Sequence, residues 1–393
     1  MTTHEASYLR SKSYLANTAS HFFIDVVNSG RVLLVALLSV SLGLSNAQVG
    51  LFLLLYNVGG SLSQPLFGWA ADRFGARQLV VGGVGWTIFF FALASVLPDW
   101  PAMIALTVAS LGIGAFPPGG TKVASQSSVV RRTQSTAVFF MAGQMGLFAG
   151  PILAGGVLDL FGRPGYLFLP AAAMLAFLGG WRWLVDDVRR RSPAPGRAPA
   201  PQSSSASAGL RRILPALIVV VIAYNTVSFS SQNFAPKLFT EWGYSASYVG
   251  WIAGLFMMGS AIGGVVGGGL ADRYGGKPVI LLSMVGLIAP IYYYIPAPDL
   301  WRFPILLLAG FFGGMPHSIV VLIVQALMPD RRALASGLTL GFMFFSGAVG
   351  SYIMGIIADH TTLDAALQGT AMLPLLAITA ALFLPRGLIG GRA

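Results

Sequence analysis

The chain has no cysteine. Disulfide staples and thiol chemistry are therefore excluded, while the compartment stays undecided by that absence alone. Charge is the second scarcity: 9% of the 393 residues are Asp, Glu, Lys or Arg, against about 25% in soluble domains. Of these only 13 are acidic, leaving a formal net charge of +11. In a soluble chain such a balance would suggest nucleic acid, but here the basic residues gather in alternate loops, and no nucleic-acid partner is expected. No metal cluster, no phosphate-binding glycine loop after a strand and no catalytic triad is present in the sequence. Nucleotide-driven transport and enzymatic chemistry thus have no support, and no cofactor is expected.

What fills the sequence instead is apolar. Hydrophobic residues make up 55% of it and the mean hydropathy is +0.74, which defines an integral membrane protein. Twelve apolar runs near the ~20 residues that cross a bilayer fall at about 15–42, 47–70, 78–97, 101–125, 135–160, 165–185, 213–236, 246–270, 278–296, 303–328, 334–358 and 367–385. An even number puts both termini on one side. Of the loop Lys and Arg, only Arg163, Lys237 and Arg302 fall on the other side, so the termini are expected to be cytoplasmic. The first run carries His21, Asp25 and Arg31, which argues against a cleaved signal peptide; the first span is expected to be retained.

The chain is a tandem repeat. Gly68-Trp69-Ala70-Ala71-Asp72-Arg73-Phe74-Gly75-Ala76-Arg77 corresponds to Gly268-Gly269-Leu270-Ala271-Asp272-Arg273-Tyr274-Gly275-Gly276-Lys277 at an offset of 272 − 72 = 200. Val49-Gly50, Arg131-Arg132, Gly150, Gly155 and Asp159 recur as Val249-Gly250, Arg331-Arg332, Gly350, Gly355 and Asp359. Parallel repeats in a membrane chain are a transporter architecture. The segment 186–212, with Arg189-Arg190-Arg191 followed by a Pro- and Ser-rich run, cannot bury a core and reads as a cytoplasmic linker. The expected domains are bundles at 1–185 and 213–393.

The pattern G-x-x-x-D-R-x-G-x-R/K, found twice, resembles the signature loop of the major facilitator superfamily between helices 2 and 3 and between helices 8 and 9. The resemblance implies an all-α integral membrane fold of twelve transmembrane helices in two six-helix pseudo-symmetric bundles. It also implies alternating access, a monomer among membrane lipids, and a bacterial-type cytoplasmic (inner) membrane location. By the same resemblance Asp72, Arg73, Arg77, Asp272, Arg273 and Lys277 are gating residues. Orienting the loop by its positive charge is a compatible second role.

The first span is the chemically loaded one. His21 and Asp25 share a helix face, and Arg31, six residues on, points about 120° away. Asp25 lies near mid-bilayer, where an ionisable group is costly enough that function is the default reading. It is expected to carry the coupling proton, with His21 as partner or relay; the alternative is a permanent ion pair with Arg31 or Lys122. Its repeat counterpart is Asn225. Arg31 either binds an anionic substrate group or snorkels outward. In the fourth span, Gly112 to Lys122 holds Pro117-Pro118-Gly119-Gly120, which predicts a broken or kinked helix. A similar interruption at Gly313-Gly314-Met315-Pro316-His317 makes a pair of broken helices that points to a binding site. Lys122 and His317 then become cavity candidates, against snorkelling and an internal hydrogen bond respectively. Gln144, Asn225 and Gln232 join them as polar candidates in the fifth and seventh spans.

Ser20-His21-Phe22-Phe23-Ile24-Asp25, the fourth-span run and Gln325-Ala326-Leu327-Met328-Pro329 with Ala335-Ser336-Gly337 resemble the fosmidomycin-resistance branch of the superfamily. Pro117, Gly119 and Lys122 stand where that branch carries His, Glu and Arg. Gly143 to Gly156 resembles the fifth-helix motif of proton-coupled drug antiporters, and close helix packing by small residues is its other reading. Together these imply secondary active transport driven by the proton gradient, exporting a small organic anion or an amphiphilic drug or metabolite. Uptake of such an anion is the alternative, and a transport-dead membrane scaffold a third.

Overall fold

In the computed structural model, which describes residues 8–128, 132–184, 204–328 and 332–385, all regular structure is helical. The chain runs through α1 (Lys12–Ser41), α2 (Asn46–Leu62), α3 (Gln64–Phe74), α4 (Ala76–Val96), α5 (Asp99–Gln126), α6 (Arg132–Phe161) and α7 (Phe168–Trp183). It continues with α8 (Ser204–Glu241), α9 (Ala246–Tyr274), α10 (Gly276–Tyr293), α11 (Asp299–Gly314) and α12 (Pro316–Leu327). The last helices are α13 (Arg332–His360), α14 (Leu363–Gly369) and α15 (Leu373–Leu382).

Eleven helical stretches among the described residues are long and apolar enough to cross a bilayer. The remaining expected span, 47–70, is divided at Ser63 into α2 and α3, of 17 and 11 residues. Pro65 lies in the first turn of α3, where its missing N–H leaves the preceding turn without a donor. The count of twelve spans holds once that break is recognised.

Three local expectations change and one holds. First, α5 runs unbroken through Pro117 and Pro118, so the predicted break is absent. Neighbouring helices press on it there: a Cβ at Gly112 would stand 2.5 Å from Thr87 Oγ1, and Gly114 lies against Gly60 O. That support carries the helix past the missing N–H groups. Second, the interruption in the other repeat is real, separating α11 from α12 at Met315. Third, the repeated turn is a single residue. Asp72 and Arg73 belong to α3, Asp272 and Arg273 to α9, and only Gly75 and Gly275 stand between helices, with φ of 107° and 91°. Those left-handed values are glycine's territory. Fourth, α8 starts at Ser204, inside the expected linker. Positions 185–203, together with Arg131 and Arg331, lie outside the described residues.

Two compact units form. The first comprises Met1–Leu44, Leu55–Ser192 and Phe239–Gly254; the second comprises Ser45–Leu54, Pro193–Leu238 and Leu255–Ala393. The first is built on α1. Tyr14 Oη donates to Ser135 O at 2.7 Å, Asn17 Nδ2 to Gly120 O at 2.9 Å and Tyr166 Oη to Val27 O at 2.6 Å. Each bond ties α1 to a different element while keeping a buried polar group satisfied. In the second unit Leu217, Val220 and Tyr224 of α8 meet Ile280 and Met284 of α10, Ile319 and Ile323 of α12, and Ala377 and Ala381 of α15. On the outer faces Leu175 and Val265 are 70% and 79% exposed, a pattern suited to hydrocarbon rather than water.

Each unit also holds one member of a matched pair of carboxylate caps. In the first, Asp159 near the end of α6 accepts from the N–H groups of Ala246 and Ser247 at 2.7 and 2.8 Å, at the start of α9. In the second, Asp359 near the end of α13 accepts from Asn46 and Ala47 of α2 at 2.7 and 2.8 Å. A carboxylate there satisfies orphan donors and complements the helix dipole.

Candidate functional site

Along α1 the residues His21, Asp25, Asn28 and Arg31 follow one another at spacings of four, three and three, close to the helical period. His21 Nε2 lies 3.3 Å from Asp25 Oδ2. The other ring nitrogen, Nδ1, is 2.8 Å from Phe139 O, and the imidazole stacks on the Phe139 ring at 4.1 Å between centroids. With one nitrogen on a carbonyl and the ring held flat, the second nitrogen is aimed at the carboxylate. The His21 and Asp25 side chains are 11% and 16% exposed, so both are largely enclosed by protein.

Asn28 is the junction of the array. Its side-chain amide stands beside the Asp25 carboxylate, and its Oδ1 accepts from Tyr56 Oη at 2.8 Å and from Arg31 Nη1 at 3.1 Å. The same Nη1 donates to Asn28 O at 2.9 Å, and the Arg31 guanidinium sits over the Tyr56 ring at 4.2 Å. Arg31 turns onto Asn28 and Tyr56 rather than onto Asp25, and Asn28 stands between the two charges. Among the described residues the Asp25 carboxylate is paired with His21, and an ion pair with Arg31 or Lys122 is not formed. Asn28 was legible in the sequence as the residue three from each charged neighbour, whereas Tyr56 arrives from α2 and has no local signal.

The small-residue run of the fifth span makes this site possible. A Cβ at Gly143 would fall 2.5 Å from His21 Nε2 and 2.7 Å from Asp25 Oδ2, and one at Gly146 would reach Phe22 O and Asp25 Cβ. Gly150 likewise meets Ser29 Oγ and Val26 O. The glycines of α6 are thus the seat into which the His21–Asp25 face of α1 is pressed. Gln144, next to that seat, is exposed, and Lys122 is half-buried on α5.

The candidates of the second unit are described apart. Asn225, the counterpart of Asp25, is buried, and its Nδ2 donates to Val221 O at 2.9 Å; its amide is engaged within its own helix. Gln232 is half-buried on α8, and His317 is exposed in the first turn of α12, directly after the break at Met315. Of the loop residues, Arg77 Nη2 donates to Trp181 O at 2.8 Å and Lys277 Nζ to Leu382 O at 2.5 Å. Both cations thereby meet carbonyls at a helix C-terminus, where the dipole favours positive charge. Arg73 lies 5.4 Å over Trp69 and Arg273 5.1 Å over Tyr274, while Asp272 is exposed. Nothing is described of the Asp72 side chain.

A repeated, multi-span helical chain that holds an acid, an imidazole and a guanidinium part-way along one span has the form of a membrane transporter. The sequence model of the Major Facilitator Superfamily matches residues 18–235 and 216–389, and the chain belongs to that superfamily. It is similar to the fosmidomycin resistance protein of Escherichia coli (strain K12), with 27% identity over 378 residues covering 94% of this chain and 92% of that protein. It is also similar to the class B tetracycline resistance protein of Escherichia coli, with 24% identity over 321 residues and 79% of each chain. Among solved structures, a bacterial homologue of the human lysosomal transporter Spinster, inward-facing and occupied, superposes with a TM-score of 0.71 at 15% identity, covering 98% of this chain and 97% of that one. The chain is accordingly a multi-pass integral membrane transporter of small molecules.

Proposed function

We propose that the protein is a proton-coupled antiporter that exports a small organic anion or an anionic amphiphile by alternating access. The observation that carries this reading is the array His21, Asp25, Asn28, Arg31 and Tyr56, in which a carboxylate and a guanidinium flank one amide. Protonation at Asp25 and anion binding at Arg31 then compete for the hydrogen bonds of Asn28, which couples the two events. Lys122, Gln144, Gln232 and His317 are further contacts along the substrate's path, and Asn225 supports the second repeat from within. The two resistance proteins among the relatives favour export over uptake. The proton gradient is the energy source, and the working form is a monomer with both termini on the cytoplasmic side of a bacterial-type inner membrane. Asp72, Arg73, Arg77, Asp272, Arg273 and Lys277 serve as the gating loops, with Arg77 and Lys277 fixing them to helix ends.

The test is growth of cells expressing wild type, Asp25→Asn or Arg31→Gln on a panel of toxic anions, neutral amphiphiles and cations that includes fosmidomycin and tetracycline. Protection by wild type and its loss in Asp25→Asn is the expected result. Sensitisation by wild type would instead mean uptake. Identical growth of wild type and Asp25→Asn would remove the carboxylate from the coupling mechanism.

A further inference from the structure

The second unit contains a cleft of about 740 Å³ between α8, α13 and the α14–α15 segment, with Ala223, Phe345, Ile353, Ile357, Ala366 and Leu376 among its walls. The repeat explains why it is there. In the first unit the corresponding seam, between α1 and α6, is closed by Tyr166, which is fully buried, hydrogen-bonded to Val27 O and set against Gly30 and its neighbour Ala154. After α6 and α13 the offset grows to 204, aligning Gly165-Tyr166 and Pro170 with Gly369-Thr370 and Pro374, so Thr370 stands in place of Tyr166; in α8, at the offset of 200, Ala223 stands in place of Phe23. Two rings are thus replaced by two small side chains on the walls of one cleft.

Its chemistry selects the occupant. The walls offer methyl, methylene and ring groups with only a few Ser and Thr hydroxyls, whereas a stable internal water needs two to four polar partners. Its rim is open sideways: Phe345, Ile353, Ile357 and Leu376 are 46%, 50%, 50% and 59% exposed on helices that cross the bilayer, so the cleft is continuous with the lipid-facing surface. From Phe342 to Ile357 it follows α13 for fifteen residues, roughly 22 Å at 1.5 Å per residue, along the direction in which lipid tails lie and longer than half of the ~30 Å hydrocarbon core. We propose that this cleft is a binding site for one acyl chain of a membrane phospholipid, intercalated between α8, α13 and α15 where the first repeat has a tyrosine.

Full-length protein in liposomes doped with a phosphatidylethanolamine bearing a mid-chain diazirine would be irradiated, digested and mapped by mass spectrometry. Adducts should concentrate on α13 between 342 and 357 and on α15, at least fivefold above those at Leu175 and Val265, which are more exposed but lie outside the cleft. The double substitution Ala223→Phe with Thr370→Tyr, which restores the rings of the first repeat, should bring α13 labelling down to the level at Leu175 without changing the latter. Equal labelling of the cleft and Leu175 in the wild type would overturn the proposal, and that comparison stands even where the filled variant does not fold. Labelling that disappears on adding fosmidomycin or tetracycline would also overturn it, since the occupant would then be a transported molecule rather than lipid.

Discussion

Asp25 owes its meaning to depth. A carboxylate part-way along a membrane span is retained only where neighbours stabilise it, and its neighbours here are an imidazole, an amide and the glycine seat of α6. On the proposed coupling role, substitution by Asn keeps the shape and removes the titratable carboxylate, so transport by Asp25→Asn should lose its dependence on pH across the range in which wild-type flux varies; proteoliposome flux at fixed substrate and varied pH checks this. Arg31→Gln should lower apparent affinity for anionic substrates about tenfold or more, the order of a lost charge-assisted hydrogen bond, with little change for neutral ones; equal loss for both would remove Arg31 from substrate recognition. Tyr56→Phe deletes one donor to Asn28 while leaving the ring under the guanidinium. An effect near fivefold on apparent affinity, corresponding to about 1 kcal/mol, is expected from concentration-dependent flux. At Gly143 any side chain enters the space of His21 and Asp25, so Gly143→Val should abolish coupling even where the protein still reaches the membrane.

Helix ends carry the next level of organisation. Arg77 and Lys277 each donate to a carbonyl at the end of the last helix of their own repeat, and Asp159 and Asp359 each cap the start of a helix from the other repeat. These residues recur at the same offset because both repeats need the same termini satisfied. An N-capping carboxylate is worth about 1 kcal/mol, and the two caps share no partner, so their losses should add. Asp159→Ala and Asp359→Ala should each lower the unfolding midpoint in detergent, and the double variant should show the sum; a double variant no worse than either single would mean the caps act as one unit. The helix breaks follow the same accounting of backbone donors. Proline opens the span at Pro65 and at Pro316, whereas α5 passes through two prolines because its glycines let α2 and α4 come close enough to support it.

At the scale of the whole chain the repeat sets the architecture, yet the compact units do not follow it: residues 45–54 cluster with the second half and 239–254 with the first. The expected boundary between the two halves lies at 186–212, into which α8 extends from Ser204. Co-expression of 1–185 and 204–393 as separate polypeptides is therefore expected to restore transport, read as the same resistance profile; fragments that accumulate in the membrane without activity would mean that the linker contributes more than a tether.

The membrane class, the twelve spans, the repeat and the loaded first span were all legible in the order of residues, because bilayer thickness and helical periodicity act locally and leave their period in the sequence. The pairing of Asp25 with His21 was legible for the same reason, being four residues apart on one helix. Several features were decided only by tertiary structure: the seat that α6 glycines make for Asp25, the arrival of Tyr56 over Arg31, and the continuity of α5 through its prolines. So were the cross-repeat caps and the cleft left open at Thr370. Each depends on which surfaces meet across more than twenty residues of chain, and such meetings are set by packing and by the satisfaction of buried donors rather than by any local pattern.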